Sequence, residues 1–192
     1  MNVNEYEKQF DEILDGKNTV YPYDSDEYIN YVKLNKARMK RWAKVGKIAP
    51  DLAATLKNIQ HTQNWILITE PWCGDAAHSH EFIKKSAELN PKISLTVRNR
   101  DAPDSEIDQY LTNGGKSIPK LIVRDADGQD LFDWGPRPKA AQELYMSQRT
   151  DTSLSDEDKK RALQSWYNKD KGTTIQQELN VLLGQLIKQP EP

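Results

Sequence analysis

The chain contains a single cysteine, Cys73, in the sequence Trp-Cys-Gly-Asp-Ala at residues 72–76. The apolar run at residues 65–69 before it predicts a buried strand, and residues 74–89 after it predict a helix. A thiol at the start of a helix meets free N–H groups and the partial positive charge of the helix N-terminus, both of which favour the thiolate. We therefore take Cys73 as the candidate nucleophile.

The neighbours of Cys73 restrict its chemistry. A dithiol site needs a second cysteine three residues on, where this chain has Ala76. A mixed disulfide at Cys73 would then be released only by an external thiol, so monothiol exchange and sulfenate chemistry are the reactions left. Asp75 is expected to cap the helix or to modify the thiol pKa, since a nearby carboxylate disfavours a thiolate. An inert cysteine is the alternative.

Two further groups near Cys73 carry chemistry of their own. His78 and His80 are two residues apart, which on a helix places them about 200° apart, so they do not suit one metal ion. We expect no metal site and two histidines that are solvated or satisfied, with His78 a further candidate as proton donor to the thiolate. Arg137, between two prolines, is expected to aim at Cys73 or an anionic ligand, or to be an ordinary turn arginine.

Composition excludes several classes of partner. Lys and Arg total 27 against 29 Asp and Glu, for a net charge of −2, so no general attraction to nucleic acid or anionic membrane is expected. The basic stretch at residues 33–47 is expected to be a solvated helix face. The first residues lack the features of a secretory signal, and no apolar run is long enough to span a bilayer. A lone cysteine fits a reducing compartment, and we expect a cytoplasmic location.

Hydrophobic periodicity and turn signals predict a β-α-β-α-β-β-α core between helical ends. Strands are predicted at residues 65–69, 93–97, 121–124 and 130–134. Helices are predicted at residues 6–14, 25–42, from 50 onward, 74–89, 105–111, 139–148, 155–167 and 173–187. Residues 189–192 are expected to fray. The first two strands should be parallel and the last two an antiparallel hairpin. We expect an N-terminal helical extension (1–60), a core (61–150) and a C-terminal helical extension (151–192).

Three motifs at these spacings resemble the thioredoxin-like superfamily. They are the apolar strand running into Trp72-Cys73-Gly74, the segment at residues 117–123 containing Ile118-Pro119, and the hairpin that leads to Trp134-Gly135. The chain looks like bacterial thioredoxin-like proteins with a Trp-Cys-Gly-Asp sequence, and the resemblance covers roughly residues 60–150. It implies an α/β thioredoxin-like fold with a four-stranded mixed sheet.

The resemblance also implies a site. A cis Pro119 would lie beside Cys73 and present backbone groups to an extended partner peptide, while the buried acid of thioredoxins falls at Leu67 here. Expected substrate-binding residues are Trp72, Gly74, Ile118, Pro119, Trp134, Gly135 and Arg137. Trp72 and Trp134 are expected to be partly exposed.

Two functions follow as expectations, neither with a cofactor. The first is monothiol thiol–disulfide exchange with a protein or low-molecular-weight thiol partner. The alternative is a non-catalytic module that binds a protein or peptide in the same groove.

Overall fold

A four-stranded mixed sheet lies at the centre of the molecule, in the order β2-β1-β3-β4. The computed structural model describes residues 1–188, so the residues expected to fray, 189–192, lie outside the described residues. The strands are β1 Gln63–Thr69, β2 Ile93–Asn99, β3 Lys120–Arg124 and β4 Asp130–Trp134. β1 and β2 are parallel, whereas β3 is antiparallel to both β1 and β4. The α/β fold with a mixed four-stranded sheet is therefore confirmed.

Seven helices surround this sheet. They are α1 Val3–Leu14, α2 Asp26–Val45, α3 Pro50–Lys57, α4 Ala76–Glu88, α5 Lys139–Arg149, α6 Asp156–Asp170 and α7 Thr173–Lys188. α1 begins earlier than predicted because Asn2 and Glu5 form a capping box. Within residues 1–188, no helix combines the length and the apolar character needed to cross a membrane.

One predicted helix is wrong. Residues 105–111 contain only a single 3₁₀ turn, Ile107–Gln109. Side chains of this segment bond to the sheet instead of following a helical period: Glu106 accepts from Arg124, and the Tyr110 hydroxyl lies within hydrogen-bond distance of Asp130. Because Ile107 is also buried, in the apolar cluster that contains Ile68 of β1 and Ile122 of β3, the segment is held against a face of the sheet.

Alternate residues of β1 point into different parts of the core, as the period of a strand requires. Trp65 and Leu67 join a large apolar cluster that includes residues from α2, α3, α4 and α7. Ile66 and Ile68 join a smaller cluster that contains Cys73. Both faces of β1 are thus covered, and the end of the strand delivers Cys73 into an apolar setting.

Candidate functional site

Cys73 lies in the turn between β1 and α4, directly against the segment that precedes β3. Its Sγ donates a hydrogen bond to the carbonyl oxygen of Ile118 across 3.4 Å, and only 5% of the residue is exposed. The Ile118–Pro119 peptide bond is cis. The structure therefore brings Cys73 and the Pro119 segment together.

The surroundings of Cys73 raise the pKa of its thiol to about 12. Burial is the largest cause, because it disfavours the charged form, and the neighbouring Asp75 is the second. The backbone N–H of Ala76 and the guanidinium of Arg137 act in the opposite direction and are outweighed. The sequence did not decide whether the pKa of the Cys73 thiol is raised or lowered. In the structure it is raised, and the thiol is protonated at neutral pH.

Asp75 does not cap α4, and that part of the prediction is wrong. Although Asp75 occupies the N-cap position, its side chain makes no capping hydrogen bond. One carboxylate oxygen instead pairs with Arg137 at 2.7 Å, and the other accepts from the Tyr167 hydroxyl at 2.9 Å. Burial raises the pKa of Asp75, and Arg137 opposes this shift. Asp75 therefore acts on the site as a fixed acidic group beside the sulfur.

Arg137 faces the site, but its guanidinium forms an ion pair with Asp75. Its Nη1 donates to Gln142 at 2.9 Å, and its guanidinium lies 4.0 Å from the centre of the Tyr145 ring. The Nε atom is buried without a hydrogen-bond partner among residues 1–188. Arg137 is thus more than a turn arginine, because it joins β4 and α5 to the start of α4.

The end of β4 packs against the Pro119 segment at Gly135. Gly135 has a φ of +118°, and a Cβ at this position would lie 2.2 Å from the carbonyl oxygen of Pro119. Only glycine has both the conformation and the space for this approach.

Trp134 does not belong to the site, contrary to the prediction that it is partly exposed. It is 5% exposed, and its indole N–H donates to Glu178 of α7 at 2.7 Å. The alternation of β4 turns this ring toward the large apolar cluster, on the side where α7 packs. Trp72, by contrast, is half-buried beside the site, with the Arg100 guanidinium 4.9 Å above its ring.

A groove of about 1040 Å³ opens above Cys73 and Ile118. Of the predicted site residues, the groove is lined by Trp72, Cys73, Gly74, Asp75, Ile118 and Arg137. Its walls come from α5 and from two helices outside the predicted core, α2 and α6, so the predicted extensions help to shape the site. Sequence motifs indicated the floor of the groove but not these walls.

The walls carry an excess of basic side chains. Eight lysines and arginines line the groove against four carboxylates. Arg38 and Arg149 form no ion pair with any described residue, whereas most of the other basic residues do, such as Lys160 with Glu157. Burial, followed by the neighbouring Arg41, lowers the pKa of Arg38. The groove is therefore a local basic surface on a chain whose net charge is −2.

The solvated helix face predicted for residues 33–47 does not distinguish Arg38 from the other basic side chains of that stretch. A signal was present in the sequence: Tyr28, Tyr31, Asn35 and Arg38 follow one another at three- and four-residue intervals. That spacing places two aromatic rings, an amide and a guanidinium on one face of α2, and this face lines the groove. No comparable spacing in the sequence indicates that Tyr167 of α6 reaches the site.

His78 is satisfied, as expected, but it is not placed to protonate Cys73. Its Nδ1 accepts from the Trp42 indole at 3.0 Å, which leaves the proton on Nε2 to bond Gln164 at 2.7 Å. The ring stacks on Tyr167 at 4.5 Å. Burial lowers the pKa of His78 to about 4, so the ring is neutral at physiological pH.

His80 points away from His78, as the helical spacing predicts. It is 1% exposed, and neither ring nitrogen has a hydrogen-bond partner among the described residues. The expectation that both histidines are solvated or satisfied is therefore wrong for His80.

Comparisons with solved structures agree with the overall fold. A protein of unknown function from Pseudomonas aeruginosa has a TM-score of 0.59 at 15% identity, over 82% of this chain and 90% of that one. An HIV epitope-scaffold has a TM-score of 0.56 at 15% identity, over 96% of this chain and 99% of that one. At this identity the likeness shows the fold alone. No curated protein matches the sequence.

A protein-family comparison covers more than half of the chain. Residues 22–159 match the family model described as Thioredoxin. The match includes the turn of Cys73, the Pro119 segment and the β3–β4 hairpin, and it also covers all of α2 and α3 and the beginning of α6. The fold is accordingly thioredoxin-like, with one cysteine where a dithiol site would have two. The chain belongs to this thioredoxin family.

Proposed function

We propose that this protein is a non-catalytic thioredoxin-fold binding module whose groove takes an extended, acidic segment of a partner protein. The state of Cys73 carries the proposal. A buried thiol that donates to Ile118 and has a pKa of about 12 is a poor nucleophile at neutral pH, because the thiolate is the reactive form. Cys73 then serves as part of the groove floor.

The size of the groove supports a polypeptide ligand. Pockets for drug-sized ligands have volumes of about 300–1,000 Å³. The groove above Cys73, at about 1040 Å³, lies just above that range and is flanked by α2 and α6. A chain of several residues fits this space better than a small metabolite does.

The charge of the groove supports an acidic partner. Arg38 and Arg149 lack carboxylate partners among residues 1–188, and they lie with other basic side chains on the groove walls. Charge of one sign in a cleft raises the local concentration of oppositely charged ligands and speeds their association. The half-buried rings of Tyr28 and Trp72 add apolar contact area beside these charges.

Monothiol exchange is the second candidate, supported by the approach of the Ala76 N–H and Arg137 to the sulfur. The Cys73 thiolate would attack a partner disulfide, forming a mixed disulfide and releasing one thiol. An external protein or low-molecular-weight thiol would then reduce that bond, because the chain has no second cysteine. Either candidate suits a reducing compartment such as the cytoplasm, where a lone thiol stays reduced.

Fluorescence-labelled peptides test the binding proposal. A glutamate- and aspartate-rich peptide should bind the full chain, while the same peptide with Gln and Asn in place of the acids should not. The double variant Arg38→Gln/Arg149→Gln should weaken binding about tenfold, as expected when two charge contacts are lost. Lys40→Gln/Lys44→Gln is the matched control, because both lysines are exposed and neither lines the groove.

Cys73→Ser separates the two candidates. Acidic-peptide binding unchanged in this variant supports the binding module, since the thiol then contributes no covalent bond. Equal binding of the acidic and neutral peptides, or no effect of the arginine changes, would overturn it. Rapid exchange of Cys73 with a glutathione mixed disulfide at neutral pH would favour monothiol chemistry instead.

A further inference from the structure

His80 presents a buried imidazole that the fold leaves without a hydrogen bond. The residue lies on α4 and is 1% exposed, and both ring nitrogens lack partners within residues 1–188. Buried polar atoms in folded proteins almost always have a partner, so an imidazole with two unpartnered nitrogens points to a missing ligand or ion. The other buried histidine, His78, has both nitrogens occupied.

Two carboxylates lie beside this imidazole. The nearest Glu81 oxygen is 3.6 Å from His80 Nδ1, and the Glu81 side chain is almost fully buried. Glu7, from α1, completes the group, and one possible ligand atom from each of the three residues lies within 4.8 Å of the others. Two ligand atoms of a tetrahedral zinc ion are about 3.4 Å apart, from bond lengths near 2.1 Å. The His80–Glu81 separation is already close to this value.

We propose that His80, Glu81 and Glu7 form a binding site for a divalent transition-metal ion, with Zn²⁺ as the best-matched ion. One imidazole nitrogen and two carboxylate oxygens are a donor set that zinc accepts, with water in the fourth position. Because Glu7 belongs to α1 and the other two ligands to α4, the ion would clamp the N-terminal helix onto the core.

Lys84 competes for this site. Its ammonium group lies 2.7 Å from a Glu7 oxygen, so Glu7 already has one cationic partner. Lys84 and Glu7 are both partly exposed, and the ammonium can turn into solvent when a metal ion takes the carboxylate. The Lys84–Glu7 pair leaves both ring nitrogens of His80 without a hydrogen bond, and it should weaken metal binding without preventing it.

Titration of the metal-free full chain with Zn²⁺ by calorimetry tests the site. One ion should bind per chain and raise the midpoint of thermal unfolding, because a ligand that binds only the folded state stabilises it. His80→Gln and Glu81→Gln should each weaken Zn²⁺ binding by at least about tenfold. Lys84→Gln should strengthen it several-fold, a result that nonspecific surface binding would not produce.

Three controls identify adventitious sites. His61→Gln removes an exposed histidine and Cys73→Ser removes the thiol, and neither change should alter Zn²⁺ binding. The absorbance of bound Co²⁺ should show the same dependence on His80 and Glu81. Failure of the wild-type chain to bind Zn²⁺ at micromolar concentration, or equal binding by wild type, His80→Gln and Glu81→Gln, would overturn the proposal.

Discussion

At the scale of single residues, the chemistry of Cys73 is decided by competition between opposing effects. The N-terminal end of a helix and a nearby guanidinium favour the thiolate, whereas burial and a carboxylate oppose it. The sequence shows the helix position, Asp75 and Arg137, but not how deeply the sulfur is covered or that Arg137 pairs with Asp75. Burial is the largest cause of the raised thiol pKa, and it depends on the Ile118 segment, 45 residues away in the chain.

Replacement of Asp75 by asparagine should make the thiol more acidic. The change removes a negative charge that raises the pKa of Cys73 and leaves Arg137 without its carboxylate. We expect the thiol pKa to fall by at least about one unit from its wild-type value near 12. The ultraviolet absorbance of the thiolate, followed against pH, measures it.

Tyr167→Phe is the matched control for Asp75→Asn. It removes a hydrogen bond to the same carboxylate but leaves the negative charge in place. Its thiol pKa should stay near the wild-type value. An unchanged thiol pKa in Asp75→Asn would show that the Asp75 charge does not act on the sulfur.

At the scale of elements, the site depends on helices that hold α4 from two sides. Trp42 of α2 and Gln164 of α6 bond opposite nitrogens of His78, and Tyr167 of α6 stacks on its ring. His78 therefore ties together α4 and helices distant in sequence from it. Hydrophobic periodicity does not reveal this part of the site, because the contacts are hydrogen bonds and ring stacking between elements more than 30 residues apart.

The His78 contact should make stability depend on pH. Burial lowers the folded-state pKa to about 4, below the value of 6.5 for an unperturbed histidine. As the pH falls below 6.5, His78 becomes protonated in the unfolded chain, whereas in the folded chain it stays neutral down to about pH 4. The contribution of His78 to stability is therefore complete above pH 6.5 and is lost between pH 6.5 and pH 4. At pH 5 the loss from this group should be about 2 kcal/mol.

Urea unfolding of wild type and His78→Gln at pH 7.5 and pH 5 measures this loss. The variant should be less stable at pH 7.5, because a histidine with two hydrogen bonds is replaced. Its stability should fall less than that of wild type between the two pH values, by about the 2 kcal/mol assigned to His78. Equal losses in both proteins would show that other groups cause the pH dependence.

At the scale of the whole molecule, sequence reasoning was most accurate where hydrophobic periodicity is strong. The strands and the long helices were predicted to within a few residues, because each buries a regular apolar stripe. The prediction of a short helix at residues 105–111 is wrong because polar contacts to the sheet decide the conformation of this segment. The prediction that Trp134 is partly exposed is wrong because α7, which covers it, lies in a distant part of the chain.

The division into a core with two extensions stays a prediction, and the packing suggests how to examine it. Residues Ile175, Leu179 and Leu183 of α7 join the large apolar cluster that also contains Trp65 and Phe82. We therefore expect residues 61–150 to unfold together with the C-terminal helices. A side-chain change on the buried face of α7 should destabilise the entire chain.

Leu179→Ala and Val181→Ala provide a matched test of this cooperativity. Leu179 is fully buried, whereas Val181, on the same helix, is 59% exposed. The first change should lower the free energy of unfolding by about 2–5 kcal/mol, since it leaves a cavity in the core. The second should change it by no more than about 0.5 kcal/mol.

Urea unfolding, followed by tryptophan fluorescence and circular dichroism, should give one coincident transition for each protein. A separate early transition in Leu179→Ala would instead show that the C-terminal helices form an independent unit. In that case the groove would lose its α6 wall before the sheet unfolds, so acidic-peptide binding would disappear at a lower urea concentration than the β-sheet signal.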